Sequence, residues 1–219
     1  MQNLAASIDH TLLRPDALRA DIERLCEEAL QHRFASVCVN GCWVEVARHC
    51  LEDSPVRVAT VVGFPLGAME TDAKRYETEV AVDCGAQEID MVLNVAWLKA
   101  GEDRRLWREL RDVVEAAQDR PVKVIIETCL LTDEEKRRVC PVIKEAGAKY
   151  VKTSTGFGKG GATEADVRLL RECVGPEFGV KAAGGIRDLA TARILLEAGA
   201  TRLGTSSGVK IVAELSEGG

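Results

Sequence analysis

The sequence predicts an α/β protein: a closed (β/α)₈ barrel folded as one domain over residues 1–219. Three observations carry this. About eight β-rich runs are spread along the chain, most of them followed by a stretch of helical periodicity. Three segments, CGAQEIDMV (84–92), AGAKYVKTS (146–154) and AGATRLGTS (198–206), repeat one plan in which Gly-Ala closes a helix and a strand begins. The six prolines and 19 glycines are dispersed, and no linker or low-complexity tract divides the chain. An open doubly wound sheet is the principal rival. The chain is near the lower length limit for a barrel, so insertions must be few.

In chain order, SIDHT (7–11) carries the weakest strand pattern and FASVCVN (34–40) is the second strand. A helix over 43–51 precedes the third strand, VRVATVVGF (56–64). Apolar residues at helical spacing predict a helix over 71–83, leading through the first Gly-Ala junction into the fourth strand, EIDMV. VKVIIET (122–128) is the fifth, and a second periodic helix over 132–145 feeds the sixth, within 146–154. GVKAAGG (179–185) and the segment ending TRLGTS supply the seventh and eighth.

A net charge of -6 has the wrong sign for nucleic acid or an anionic membrane, and Lys and Arg form no basic run. Any phosphate recognised is therefore expected to be small. The first residues show no basic stretch followed by an apolar one, and no apolar run is long enough to span a bilayer, so a cytoplasmic protein is expected. The eight cysteines fall within helical and strand patterns and are expected to be reduced thiols. Cys38, Cys42, His49 and Cys50 contain no C-x-x-C pair, and the helix over 43–51 accounts for them without a metal.

Five residues past the junction glycines stand Asp90, Lys152 and Gly204, which should occupy comparable depths on their strands. Period-two alternation puts Ile89, Met91 and Leu93 on the face that meets the helices, and Asp90, Val92 and Asn94 on the other. The same rule turns Lys152 and Lys181 inward, one βα unit apart, and places Lys123 and Glu127 together on the inward side. An interior ion network, with each lysine paired to Asp90 or Glu127, is one reading; such networks are costly to bury. The other is chemical. Burial and a second cation favour the neutral amine, so one lysine can attack a carbonyl to form a Schiff base, with Asp90 moving protons.

AAGGIRD (182–188) and LGTSSGVK (203–210) end the last two strands with glycines before a helix start. Backbone N–H groups of Gly184, Gly185, Gly204, Ser206 and Ser207 are thereby expected to cradle a phosphate, as loops after the seventh and eighth barrel strands often do. The plainer alternative gives the glycines to tight turns and the serines to helix capping. STGFGKGGAT (154–163) is glycine-rich enough to approach or close over a substrate, with Lys159 adding charge. Gly160 after Lys159 breaks a Walker A pattern, so nucleotide binding has no support.

Taken together and in this order, DHTLL, EIDMV, KVIIET, YVKTSTGF, VKAAGGIR and GTSSG span most of the chain and closely resemble the deoxyribose-phosphate aldolase family. The resemblance implies a TIM-barrel class I aldolase. It would cleave 2-deoxy-D-ribose 5-phosphate reversibly to acetaldehyde and D-glyceraldehyde 3-phosphate, with no metal or other cofactor, and would form a homo-oligomer, a dimer or tetramer. It implies that Lys152 is the Schiff-base lysine, that Lys181 perturbs it and transfers protons, that Asp90 is the partner acid, and that Arg187 lies near the phosphate. Two features set the chain apart: Gly41 follows Asn40 where proline is usual in the family, which should loosen that loop, and the chain ends VAELSEGG where some members carry a tail whose tyrosine reaches the site, leaving only Tyr76 and Tyr150. Two other functions fit the residues: a Schiff-base lyase for a different phosphorylated sugar, and a sugar-phosphate-binding barrel that does no chemistry.

Overall fold

A computed structural model describes residues 4–217 of the chain. Eight parallel strands form a closed ring: β1 (Ile8–Leu12), β2 (Ser36–Val39), β3 (Arg57–Val62), β4 (Glu88–Val92), β5 (Val122–Ile125), β6 (Tyr150–Lys152), β7 (Gly179–Ala183) and β8 (Arg202–Thr205). Each pairs with the next and β8 pairs with β1, so the ring has no free edge and the open-sheet alternative is excluded. Between and after the strands run α1 (Arg19–His32), α2 (Val44–Cys50), α3 (Thr71–Asp83), the short α4 (Val95–Lys99), α5 (Asp103–Ala116), α6 (Asp133–Glu145), α7 (Glu164–Val174), α8 (Leu189–Glu197) and α9 (Gly208–Glu217).

Local chemistry explains the boundaries. At the start of α6, the Glu135 amide donates to Thr132 Oγ1 at 3.2 Å and the Thr132 amide donates to Glu135 Oε2 at 2.8 Å, a reciprocal cap. α3 stops at Gly85, whose φ of +99° lets the Ala86 amide reach back to the Ala81 carbonyl at 2.9 Å. Three strands end earlier than the apolar runs suggest: β3 at Val62, β5 at Ile125 and β7 at Ala183. The residues beyond them turn away to build the open end of the barrel.

The outward strand residues, among them Val37, Ile89, Met91, Val124, Val151 and Val180, are fully buried against the helices in one continuous core. At the end of β4, the buried Lys74 donates to Glu109 Oε1 at 2.6 Å and to the Val92 carbonyl at 2.8 Å. Glu109 Oε2 accepts from the Asn94 amide at 3.0 Å. This ion pair fixes the strand that carries Asp90.

The inward residues stack in layers set by the register. Pairings run from Asp90 through Lys123 to Tyr150, and from Lys152 through Lys181 to Arg202. With tilted strands, every second strand contributes to a layer a residue about two places further along than its paired one. Cys38, Asp90, Lys152 and Gly204 thus form one layer, as the equal offsets of the last three from their glycines predict. Asp9, Ala59, Lys123 and Lys181 form the layer beneath, and Ser36, Glu88, Tyr150 and Arg202 the next. On the β1–β3 side Cys38, Ala59 and Val61 pack together with Leu13 in a small apolar cluster. Apart from Asp9 on β1, the interior charges come from β4 to β8.

Candidate active site

Asp90 is the hub of the interior. Its Oδ2 accepts from Lys152 Nζ at 2.8 Å and Lys181 Nζ at 2.6 Å, and its Oδ1 from Lys123 Nζ at 2.7 Å. Lys181 also meets Asp9 Oδ2 at 2.5 Å, and Lys123 meets Glu88 Oε2 at 2.7 Å. Arg202 closes the base of the network on Asp9 at 2.6 Å and Glu88 at 3.3 Å. Ser36 Oγ donates to Asp9 Oδ1 at 2.7 Å.

The two lysines predicted to act together have opposite electrostatics. Burial pushes the Lys152 ammonium below its usual value, and the neighbouring Lys181 adds to this; Asp90 opposes them without prevailing. Lys181 is equally buried, but attraction to Asp9 and Asp90 outweighs that burial and raises its pKa. Lys123 is raised likewise, burial being overcome by Asp90 and Glu88. Burial of Asp90 is overcome by its three lysines, which hold it well below the ordinary carboxylate range.

Above this network opens a cleft of about 350 Å³, which Lys152 reaches from below. Gly184, Gly185, Gly204 and Ser206 line it together with Lys152, and Arg187 and Arg14 stand in its wall. Gly184 and Gly185 have φ of +88° and +79°, so the backbone there turns with its N–H groups free of a side chain in the way. Asp90 and Lys181 lie beneath the cleft floor, fully buried.

Ser207 is not part of the lining: its amide donates to Thr205 Oγ1 at 2.9 Å and its carbonyl accepts from Ile211 at 3.0 Å, the bonding of a residue that begins α9. Lys159 is exposed and also absent from the lining. Glu127 does not join Lys123. The chain leaves strand geometry after Ile125, and with φ of +52° Glu127 turns its carboxylate to Thr155. Gly41, expected to loosen its loop, opens a 3₁₀ turn instead, and Asn40 Nδ2 donates to the Leu13 carbonyl at 3.1 Å. Neither tyrosine lines the cleft; Tyr150 lies against Gly179 and Tyr76 is exposed on α3.

Asp9, Glu88 and Arg202 were not selected by the sequence reading. A signal for two of them existed: Glu88 and Arg202 each precede an inward residue, Asp90 and Gly204, by one strand period. Among the described residues, no three His, Cys, Asp or Glu side chains gather as metal ligands, and no helix is long and apolar enough to cross a membrane.

Comparison with known proteins agrees with this geometry. The DeoC/LacD family aldolase model matches residues 4–214. The chain is 56% identical over 211 residues to deoxyribose-phosphate aldolase of Geobacillus sp. (strain WCH70), with 96% of this chain and 95% of that one covered. It is 54% identical over 222 residues to deoxyribose-phosphate aldolase of Caldanaerobacter subterraneus subsp. tengcongensis, covering 100% and 96%. Among solved structures, deoxyribose phosphate aldolase from Aeropyrum pernix, described as a unique tetrameric structure, superposes with a TM-score of 0.91 at 33% identity, covering 97% of this chain and 91% of that one.

Proposed function

We propose a residue-level mechanism from the premise that the chain belongs to the DeoC/LacD family of aldolases. The reaction is the reversible cleavage of 2-deoxy-D-ribose 5-phosphate to acetaldehyde and D-glyceraldehyde 3-phosphate through a lysine Schiff base, in a (β/α)₈ barrel. The observation that carries the assignment to Lys152 is a charge imbalance. The interior network holds four basic groups, Lys123, Lys152, Lys181 and Arg202, against three carboxylates, Asp9, Glu88 and Asp90. Releasing one proton balances it. Lys152 is the least compensated, with a single carboxylate oxygen that it shares with Lys181, and it alone of the four reaches the cleft.

Neutral Lys152 Nζ attacks the aldehyde carbon, and the resulting carbinolamine loses water to give an iminium. Protonated Lys181, held by Asp9 and Asp90, is the proton source for the departing hydroxide, and Asp90 passes protons between the lysines. Removal of the proton from the substrate's 3-hydroxyl lets the adjoining C2–C3 bond break. Its electrons enter the iminium to form an enamine, and D-glyceraldehyde 3-phosphate departs. Protonation of the enamine carbon and hydrolysis release acetaldehyde and regenerate Lys152. The N–H groups of Gly184, Gly185 and Ser206, with Arg187, receive the phosphate; Gly204, a ladder residue of β8, leaves room for it by lacking a side chain, and Ser207 contributes by starting α9 directly after Ser206.

The test is direct. Incubation with acetaldehyde and borohydride, digestion and mass spectrometry should find an ethyl-sized adduct on Lys152 and none in Lys152→Ala. Label on Lys181, or spread over surface lysines, would sink the assignment. We further expect a homo-oligomer, a reading supported by the exposed apolar side chains of Leu66, Tyr76 and Val80 and checked by light scattering. A cytoplasmic location suits the eight free cysteines.

A further inference from the structure

Glu127 is a buried carboxylate that the chemistry at Lys152 does not use. It is 6% exposed, and among the described residues no Lys, Arg or His pairs with it. Its backbone adopts φ of +52°, a left-handed conformation that a residue with a side chain holds only when its surroundings compel it. Burying an anion without a cation is likewise unfavourable unless hydrogen bonds replace water.

Those bonds come chiefly from Thr155, with a longer one from Cys129 Sγ to Glu127 Oε1 at 3.9 Å. Glu127 Oε2 accepts from Thr155 Oγ1 at 2.5 Å and from the Thr155 amide at 3.4 Å. With its proton committed to Glu127, Thr155 Oγ1 accepts from the Phe157 amide at 3.1 Å. Gly158 packs on the carboxylate so closely that an added Cβ would lie 3.2 Å from Glu127 Cδ. The carboxylate therefore ties down the first half of the 154–163 segment.

The far half is tied elsewhere. The Ala162 amide donates to the Gly184 carbonyl at 3.0 Å, and Gly160 presses on Cys129, where an added Cβ would be 2.8 Å from Cys129 Cβ. The segment thus bridges from the exit of β5 to the exit of β7. Thr155 and Phe157 line the Lys152 cleft on one side and, on the other, a smaller cavity of about 130 Å³ in which Glu127 is the one charged lining residue. Glu127 itself does not touch the cleft.

We propose that Glu127 is a positioning residue: it holds the 154–163 segment as the wall of the cleft and so governs affinity for the phosphorylated substrate, while leaving Schiff-base formation at Lys152 untouched. The inference rests on the reading of this cleft as the aldolase site. Two measurements on Glu127→Ala and Glu127→Gln test it. In the first, KM for deoxyribose 5-phosphate is compared with borohydride trapping of acetaldehyde. Losing a hydrogen bond to a charged acceptor predicts a KM rise of about tenfold or more for Glu127→Ala, with trapping within about twofold of the parent. Glu127→Gln keeps an acceptor oxygen and should recover part of the loss.

The second needs no turnover. The Thr155 and Phe157 amides are held through Glu127 and Thr155 Oγ1 while the Ala162 amide is held by the Gly184 carbonyl, so the rate of amide hydrogen exchange at Thr155 and Phe157 relative to Ala162 reports release of the segment's first half. Glu127→Ala should raise that ratio several-fold and Glu127→Gln less. A KM unchanged in Glu127→Gln and Glu127→Ala, an unchanged ratio, or trapping that falls in step with kcat/KM would each overturn the proposal. If the parent protein traps no acetaldehyde, the aldolase reading fails instead, and the exchange ratio still decides whether Glu127 holds the segment.

Discussion

Replacing Lys181 with methionine removes a charge while keeping an unbranched side chain of similar length. Lys152 and Lys181 both donate to Asp90 Oδ2, at 2.8 and 2.6 Å, so their nitrogens lie within bonding reach of a single oxygen atom. At a separation of about 5 Å and an effective dielectric constant of about 20, two unit charges repel by about 3 kcal/mol, or about two pK units. In Lys181→Met that repulsion vanishes and Asp90 Oδ2 serves Lys152 alone, so the Lys152 pKa should climb by about two units. Asp9 keeps Arg202 at 2.6 Å and is not stranded. The assay is the pH at which borohydride trapping with acetaldehyde rises, because loss of the Lys181 proton donor lowers the rate of dehydration at every pH whereas only the titration of the amine moves the rising limb. Scaled to its own plateau, the rising limb of the profile should move up by about two units. A limb that stays in place, or moves down, would refute the idea that Lys181 repels the Lys152 proton.

Three further outcomes follow from the same geometry. Asp9 is held below the usual carboxylate range, burial being overcome chiefly by Lys181 and Lys123, so its stabilisation is present above the unfolded-state value and is lost as pH falls through that value toward the folded one. Asp9→Asn should therefore flatten the acid side of a stability-versus-pH curve, measured by urea unfolding between about pH 5 and about pH 2. Glu109→Ala strands the fully buried Lys74 ammonium and should cost about 3 to 5 kcal/mol in the same experiment, whereas Lys74→Met with Glu109→Leu should recover most of it. Gly161→Ala would place a Cβ 2.3 Å from the Gly184 carbonyl oxygen; it should raise KM for the phosphorylated substrate and leave acetaldehyde trapping intact.

The parts of the site that obey strand periodicity were legible in the sequence. Lys152, Lys181 and Asp90 face inward because each alternates with an apolar neighbour that meets the helices. Glu127 was misread for the complementary reason. The rule was extended two residues past the end of β5, where the backbone turns left-handed and parity no longer holds. Ser206 and Ser207 are adjacent and alike in sequence, and only the start of α9 separates the one that lines the cleft from the one whose amide and carbonyl are spent on the turn. Asp9 lay in the weakest strand pattern, and its importance depends on Lys181 and Arg202, which are far away along the chain.

Layering explains why two neighbouring lysines on similar strands divide their roles. Lys123 and Lys181 come from odd-numbered strands and stand in a middle layer, with Asp90 above them, Asp9 among them and Glu88 below. Each touches carboxylates from more than one level, and each is raised in pKa. Lys152 comes from an even-numbered strand and shares its layer with Asp90, while the next inward positions above it, Thr11, Val61, Ile125 and Ala183, carry no charge. It has a carboxylate on one side and the cleft on the other. A step of one strand, with the register shift that a tilted barrel imposes, therefore separates an ammonium held by carboxylates on two levels from an amine that loses its proton more readily. The same step puts that amine, alone of the four basic groups, at the cleft.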